Sequence, residues 1–250
     1  MIFRQLFESS SATYTYLLGC KQSKAAVLID PVLETVERDI GTINELGLTL
    51  AYVLETHVHA DHLTGARKLR SLTGCKIAGA AADKLDCRDI GLEDEEVLTV
   101  GTIEIQAIAT PGHTDTHLAY LVDSDALKMA FTGDSLMIDG CGRTDFQAGD
   151  AATLYRSIHE RLFVLPGDTL VYPGHDYKGR CVSTITQERQ RNPRLGGGKS
   201  ETEFVAIMNG LNLPNPAKIE FAVKGNMMCG ECPPDVPQEL RGPCDIDVQG

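Results

Sequence analysis

Six consecutive residues, 57–62, read His-Val-His-Ala-Asp-His and limit the folds open to this chain more than any other segment. They follow an apolar run at 51–54, which predicts a β-strand, and they lead into a helical pattern over 61–72. A solvated histidine-rich loop does not require an apolar strand on one side and an amphipathic helix on the other. Because histidine and aspartate are common metal ligands, the segment predicts a metal site at a strand-to-helix corner.

The spacing inside this segment indicates how its side chains are arranged. His57 and His59 are two residues apart, so on an extended backbone they project to the same side. Asp61 and His62 are predicted to begin the helix, where an acidic side chain suits the positive end of the helix dipole. Four potential ligands are therefore expected to crowd one corner of the fold.

Three later ligand candidates stand where predicted strands end. His113, Asp134 and His175 each follow an apolar strand-like run, with a glycine directly before them. Such a glycine lets the backbone turn tightly at the end of a strand. Since successive strand ends of an α/β sheet meet at one cleft, the three side chains are expected to join the first cluster. His117 and His159 lack this context and are interpreted as structural histidines.

Runs rich in Val, Ile, Thr and Tyr alternate with longer helical patterns, which predicts an α/β fold with internal sheets. Glycines at 196–198 separate a motif-bearing body, 1–195, from a tail, 196–250. The tail is expected to form a helix at 200–210 and then irregular, Pro- and Cys-rich chain packed on the same domain. The predicted strands are 13–19, 25–29, 51–54, 103–109, 117–122, 128–132 and 169–172, and the other predicted helices are 34–46, 61–72 and 151–162.

Composition excludes several classes of function. The chain has 250 residues, of which 23 are basic and 35 acidic, so its net charge is −12. Because the sequence also shows no Lys/Arg cluster, no nucleic-acid partner is expected. No signal peptide and no apolar span of roughly 18 residues is visible, which predicts a cytoplasmic protein without a membrane partner. Eight irregularly spaced cysteines do not suggest a disulfide framework, and most are expected to be reduced.

The whole ligand pattern resembles the metallo-β-lactamase superfamily. Its signature His-x-His-x-Asp-His is matched by 57–62, and His113, Asp134 and His175 match the later metal-site positions in order. The resemblance covers roughly residues 1–195. It implies a four-layer αββα sandwich with the catalytic site at one edge of the two sheets.

Two further segments, 140–147 and 174–180, together with Asn-Pro-Arg-Leu at 192–195, resemble the persulfide dioxygenases, also called sulfur dioxygenases. The segment 212–216 extends this likeness to about residue 230. Enzymes of that family oxidise glutathione persulfide with O2 to sulfite and glutathione. The resemblance thus implies an oxidoreductase of sulfide and sulfane-sulfur metabolism, acting on glutathione persulfide and O2 and assembled as a homodimer.

By this resemblance, one iron(II) per subunit is expected on His57, His113 and Asp134, which would be the catalytic residues. Two histidines and one carboxylate on a single face leave three open positions, as in non-haem iron sites that activate dioxygen. Four other groups would surround the metal and its waters: His59, Asp61, His62 and His175.

Three residues match positions of the family's glutathione pocket. Arg143 and Arg194 would each grip a glutathione carboxylate through parallel hydrogen bonds. Tyr177, two residues after His175, would place its hydroxyl toward the thiol end. Alternatively, the two arginines would form surface ion pairs, and the tyrosine would belong to the core.

The tail holds Cys229 and Cys232, a Cys-x-x-Cys pair, and a later Cys244. Such a pair could bind zinc, form a redox disulfide or relay sulfur. A four-ligand zinc site would need help from elsewhere in the fold, since one further cysteine and no histidine follow the pair. An inert or adventitiously oxidised pair is the preferred interpretation.

Two other functions use the same ligands. A glyoxalase II-like hydroxyacylglutathione hydrolase would hold two metals, and seven candidate ligands are enough for two sites, so motif counting does not exclude it. A non-enzymatic zinc or metal-sensing site is disfavoured, because structural zinc sites are closed cages that are often rich in cysteine.

Overall fold

The computed structural model describes residues 1–124, 127–216 and 218–234. In chain order its strands are Ile2–Glu8 (β1), Thr13–Gly19 (β2), Ala25–Ile29 (β3), Thr49–Leu54 (β4), Lys76–Ala80 (β5), Ile90–Leu92 (β6), Val97–Val100 (β7), Ile103–Ala109 (β8), Leu118–Ser124 (β9), Leu127–Gly133 (β10), Leu170–Pro173 (β11) and Ser183–Thr184 (β12). Its α-helices are Val36–Glu45 (α1), Ala66–Thr73 (α2), Ala151–Ser157 (α3), Ile185–Arg191 (α4), Glu201–Asn209 (α5) and Ile219–Asn226 (α6).

These elements form two compact units. Unit 1 comprises Met1–Gly91, Val100–Thr102 and the described residues from Pro214 onward, and unit 2 comprises Leu92–Thr99 and Ile103–Leu213. One six-stranded sheet has the order β1-β2-β3-β4-β5-β6, and the other has the order β12-β11-β10-β9-β8-β7. The predicted α/β fold with internal sheets is confirmed.

In unit 1 the central strands place polar residues at one sheet edge. β3 and β4 are parallel, with Ile29 opposite Leu54. Both strands are mainly apolar, and β3 is buried apart from its first residue, as expected when both faces of a parallel strand are covered. Because parallel strands end on the same side, Asp30 directly after β3 and Glu55 directly after β4 are neighbours, and the Asp30 N–H donates to the Leu54 carbonyl.

Unit 2 repeats this arrangement with its own strands. β10 and β11 are parallel, and Gly133 lies opposite Pro173 where both strands end. Asp134 and His175 therefore leave the same edge of this sheet. β9 runs antiparallel to β10 on the other side and brings His117, directly before it, to that edge.

Each unit has its own apolar core. In unit 1 the core joins residues of the sheet to buried side chains of all three helices, such as Val36, Leu69 and Phe221. In unit 2 it joins β8, β9 and β11 to α3, α4 and α5, with Leu154 and Phe204 fully buried. Burial of this apolar surface is the main stabilising contribution in each unit.

All seven predicted strands are present, and the predicted helix at 200–210 is α5. The helix predicted at 34–46 is α1 preceded by a 3-10 turn, Leu33–Thr35. The helix predicted at 151–162 is α3 continued by a π-helix, Ile158–Leu162.

The predicted start of the helix at Asp61 and His62 is wrong. The helix begins at Ala66, because the backbone before it pairs elsewhere: the Leu33 N–H donates to the Leu63 carbonyl, and the Gly65 N–H donates to the Pro31 carbonyl. Chain committed to these contacts cannot also form the first helical turn.

The tail was expected to be irregular beyond Pro214, and this is also wrong for its first part, which contains α6. Phe221 and Ala222 on this helix are buried in unit 1, whereas α5 belongs to unit 2. The boundary predicted at 195/196 stays a prediction. Residues 235–250, including Cys244, lie outside the described residues. Among the described helices, none combines the length and apolarity that a membrane crossing would require.

Candidate metal centre

In unit 1 a hydrogen-bonded chain fixes the ring of His57. The Thr56 N–H and hydroxyl both donate to the buried Asp30 carboxylate, at 2.7 and 2.8 Å. Thr56 Oγ1 also lies 2.9 Å from His57 Nδ1. Since the only hydroxyl proton of Thr56 goes to the carboxylate, His57 Nδ1–H must donate to Thr56 Oγ1. The neutral ring of His57 therefore carries its lone pair on Nε2, the atom that could bind a metal.

His59, two residues after His57, faces two carboxylates. Its Nε2 atom lies 3.2 Å from Asp30 Oδ1 and 3.3 Å from Glu55 Oε2, and all three side chains are buried. Burial alone would lower the pKa of His59, but Asp30 and then Glu55 raise it to about 10. His59 thus lies between two buried carboxylates, which favour its protonated form.

His62 and Asp61 lie beside each other in the same loop. His62 Nδ1 is 3.0 Å from Asp61 Oδ2, and His62 Nε2 is buried without a hydrogen-bond partner among the described residues. Two groups of three potential ligands in unit 1 have their ligand atoms within 4.8 Å of one another. These groups are His59, Asp61 and His62, and Asp30, Glu55 and His59.

In unit 2 the backbone fixes the ring of His113. Its Nδ1–H donates to the Arg143 carbonyl at 2.7 Å, which leaves the Nε2 lone pair 3.6 Å from Asp134 Oδ2. The close approach requires a glycine at position 142, because a Cβ there would lie 2.6 Å from His113 Nδ1. His113 and Asp134 thus present one imidazole nitrogen and one carboxylate oxygen together.

Asp134 is fixed on its other side by two histidines. His175 Nδ1–H donates to Asp134 Oδ1 at 2.6 Å, and the Asp134 N–H donates to His117 Nε2 at 3.2 Å. His117 is buried, and its Nδ1 lies 2.9 Å from Thr110 Oγ1. His117 was expected to be a structural histidine, and its contact shows what it does: it holds the backbone of Asp134.

Comparison with known proteins assigns the family. The metallo-beta-lactamase superfamily model matches residues 11–175. Persulfide dioxygenase ETHE1 of Homo sapiens, described as mitochondrial, is 51% identical over 236 residues, which cover 92% of this chain and 89% of the relative. The crystal structure of ETHE1 from Myxococcus xanthus shares 50% identity with a TM-score of 0.89, covering 92% of this chain and 100% of that one.

The chain belongs to the persulfide dioxygenase family of the metallo-beta-lactamase superfamily. A hydroxyacylglutathione hydrolase of Rhodospirillum rubrum is more distant, at 38% identity over 188 residues, 74% of this chain and 70% of the relative. The resemblance seen in the motifs is thereby confirmed. The fold class is confirmed as well: a mixed α/β metallo-beta-lactamase fold with two sheets flanked by helices.

The three residues predicted to bind glutathione all lie in unit 2. Arg143 donates two hydrogen bonds to the Asp145 carboxylate, both at 2.6 Å, and its guanidinium lies 4.7 Å from the centre of the Phe146 ring. Arg194 donates to the Cys141 carbonyl at 2.8 Å. Tyr177 is 75% exposed, with its ring stacked against that of His175.

The tail cysteines pair differently from the prediction. Cys229 forms a disulfide with Cys87, 142 residues earlier, so an inert or oxidised Cys229–Cys232 pair is wrong in its pairing. Spacing along the chain could not reveal this partner, because only the fold brings Cys87 and Cys229 to a Cα–Cα distance of 6.0 Å. Cys232 is disulfide-bonded as well. Cys20, Cys75 and Cys141 keep buried thiols.

Sequence reasoning missed the residues that hold the ligands. Asp30 directly follows β3 and Thr56 is the second residue after β4, and polar residues after two parallel strands were the available signal. Glu55, which accepts from the Thr64 hydroxyl, has the same signal. For His117 there was none, because its bond to the Asp134 backbone depends on the pairing of β9 with β10.

Proposed function

We propose that this protein oxidises glutathione persulfide with O2 to sulfite and glutathione, using one iron(II) per subunit. The observation that carries the proposal is about 50% identity to persulfide dioxygenases over nearly the full length of both chains. In the overall reaction both atoms of O2 and one oxygen of water end on the outer sulfur. Glutathione and two protons are released with the sulfite.

Iron would be held by His57, His113 and Asp134. The donor set supports this choice, since each imidazole has its Nδ1–H engaged and therefore carries its lone pair on Nε2. Asp134 accepts from His175 at Oδ1, and its Oδ2 atom lies 3.6 Å from His113 Nε2. Two histidines and one carboxylate are the ligands of non-haem iron(II) oxygenases. When bound, iron supplies the redox chemistry that joins oxygen to sulfur.

The remaining groups would orient ligands and bind substrate. Asp30 fixes the tautomer of His57 through Thr56, and the Arg143 carbonyl does the same for His113. Arg143 and Arg194 would meet the glutathione carboxylates, which an acidic protein otherwise repels. A homodimer, the cytoplasmic location and the absence of nucleic-acid and membrane partners stay predictions.

Metal analysis of anaerobically purified protein, followed by oxygen-electrode assays, tests the proposal. We expect one iron per chain and oxygen uptake only when glutathione persulfide is present, with one sulfite formed per O2 consumed. Oxygen uptake that is absent with a fully iron-loaded protein would overturn it.

A glyoxalase II-like hydrolase is the second candidate, because His59, Asp61 and His62 could hold another metal. The lower identity to a hydroxyacylglutathione hydrolase, 38% over 188 residues, weighs against it. Two zinc ions per chain together with hydrolysis of an S-acylglutathione would favour this candidate over the dioxygenase.

A further inference from the structure

The last residue of α6, Asn226, has a buried side chain, 4% exposed, that bonds to the histidine loop, residues 57–64. Its Oδ1 atom accepts from the Thr64 N–H at 2.9 Å. Its Nδ2 atom donates to the carbonyls of His59 and His62, at 2.9 and 2.7 Å. The side-chain amide of Asn226 thus uses its oxygen and both of its N–H hydrogens to bond three backbone groups of a single loop.

The segment that follows Asn226 is fixed to the same part of unit 1. The Arg67 N–H donates to the Cys229 carbonyl at 3.0 Å, and Cys229 is covalently joined to Cys87. Gly230 has a φ of +90°, and a Cβ at this position would lie 2.1 Å from the Thr64 carbonyl oxygen. Backbone contact this close leaves no room for a side chain and little freedom for the loop.

We propose that Asn226 is a positioning residue for the histidine loop and that the Cys87–Cys229 disulfide keeps it in place. The loop lies between β4 and α2 and has no regular secondary structure of its own to satisfy its backbone. Buried carbonyls and N–H groups require partners, and Asn226 supplies three of them. The step from loop order to iron binding rests on the proposed function; the ordering of the loop does not.

Hydrogen exchange of the metal-free protein tests the ordering directly. In Asn226→Ala, amides over 57–65 should exchange at least about tenfold faster, while those of β2 and β9 keep the wild-type rates. Met227→Ala is the matched control, because its side chain is 54% exposed at the end of the same helix, and it should change neither set. Uniformly faster exchange, or no change over 57–65, would overturn the positioning role.

Iron affinity gives the second measurement, by anaerobic competition with a chelator. Loss of a group that orients metal ligands typically weakens metal binding by about 10- to 100-fold, and Asn226→Ala is expected in this range. The KM for persulfide of the iron-saturated variant should stay at the wild-type value. Wild-type affinity in Asn226→Ala would contradict the proposal. Failure of the wild-type protein itself to bind iron would instead contradict the proposed function.

Cys87→Ser removes the disulfide without touching the buried amide, and it decides the question if Asn226→Ala does not fold. We expect the same amides over 57–65 to exchange faster, by a smaller factor, with iron affinity reduced severalfold. Exchange and affinity both at wild-type values in Cys87→Ser would overturn the role of the disulfide. In that case an unfolded Asn226→Ala would mean that the amide serves the fold of unit 1 and not the loop.

Discussion

The histidine loop of unit 1 and the candidate ligands at the strand ends of unit 2 both present histidine and aspartate side chains. Different groups hold these side chains in place in the two units. In unit 1, buried charges hold the histidines: Asp30 reaches His57 through Thr56 and also pairs with His59. In unit 2 the support for His113 is a backbone carbonyl, and a glycine at position 142 lets it approach. Removing the buried charge of Asp30 should therefore disturb the histidine loop of unit 1. Adding a methyl group at position 142 should disturb His113 in unit 2.

The two regions also differ in their surrounding charge. Asp30, Glu55 and Asp61 place carboxylates around the loop of unit 1, which suits a cation. Unit 2 contributes Arg143, which is paired with Asp145, and Arg194, and both are proposed to meet the carboxylates of glutathione. The division suggests that substitutions in unit 1 change metal binding or stability, whereas substitutions of the unit 2 arginines change substrate binding.

The largest effect is expected from Asp134→Ala. His175 holds the Asp134 carboxylate and His117 holds the Asp134 backbone N–H, and loss of this carboxylate should abolish iron retention. Turnover should fall to the background rate, because iron carries the redox chemistry and a variant without it cannot join oxygen to sulfur. Iron content and oxygen uptake are the measurements. His62→Ala is the comparison and should keep its iron; loss of metal from both variants would point to a dinuclear site.

Asp30→Ala should break the charge-based support of unit 1. It leaves the Thr56 N–H and His59 without their buried partner, and removing one member of a buried pair typically costs about 3–5 kcal/mol. Urea unfolding of the metal-free protein measures this loss. Asp123→Ala is the control in unit 2, since Asp123 forms an exposed ion pair with Lys128 and should cost at most about 1 kcal/mol. Equal losses in the two variants would mean that the buried charges contribute no special support.

Gly142→Ala should break the backbone-based support of unit 2. The added Cβ would lie 2.6 Å from His113 Nδ1 and 2.5 Å from the Asp134 carbonyl oxygen, so the ring or the loop must move. Displacement of a metal ligand by a few tenths of an ångström is expected to weaken iron binding by about 10- to 100-fold. Gly140→Ala, whose Cβ would meet nothing within 4 Å, is the control. Iron affinities that agree between the two variants would show that the tight approach at position 142 is unnecessary.

The same difference explains what the sequence could predict. Ligands at strand ends were predictable, because the apolar run, the glycine and the ligand are adjacent in the chain, as at Gly133 and Asp134. Their partners were not, because they come from distant positions: Asp30 bonds to Thr56 only since β3 and β4 are parallel neighbours. Local patterns specify elements and their ends, while hydrogen-bond partners depend on which strands pair.

The helix boundary at 61 failed for a related reason. The apolar spacing after Asp61 is helical, but tertiary contacts of Leu63 and Gly65 with the chain before α1 take the backbone groups that the first turn would use. Likewise, the Cys-x-x-Cys spacing of Cys229 and Cys232 suggested a local pair, yet the partner of Cys229 is Cys87. Short-range signals are overridden where the fold offers a better partner.

The smallest effect is expected from Arg194→Ala, and it separates substrate binding from metal binding. The guanidinium is half-buried and donates one hydrogen bond to the Cys141 carbonyl, which leaves further donors for a carboxylate. A hydrogen bond to a charged group contributes about 1.5–3 kcal/mol, so the KM for glutathione persulfide should rise roughly tenfold or more. Iron content and kcat should stay near the wild-type values, because the Nη1 atom of Arg194 bonds to the carbonyl and the sulfur of Cys141, which is not a proposed iron ligand. Arg189→Ala is the matched control: Arg189 is an exposed arginine of unit 2 that also donates to a backbone carbonyl, that of Phe163, and its loss should leave KM unchanged. If both variants raise KM equally, the effect comes from the net charge of the protein and Arg194 has no place in the pocket.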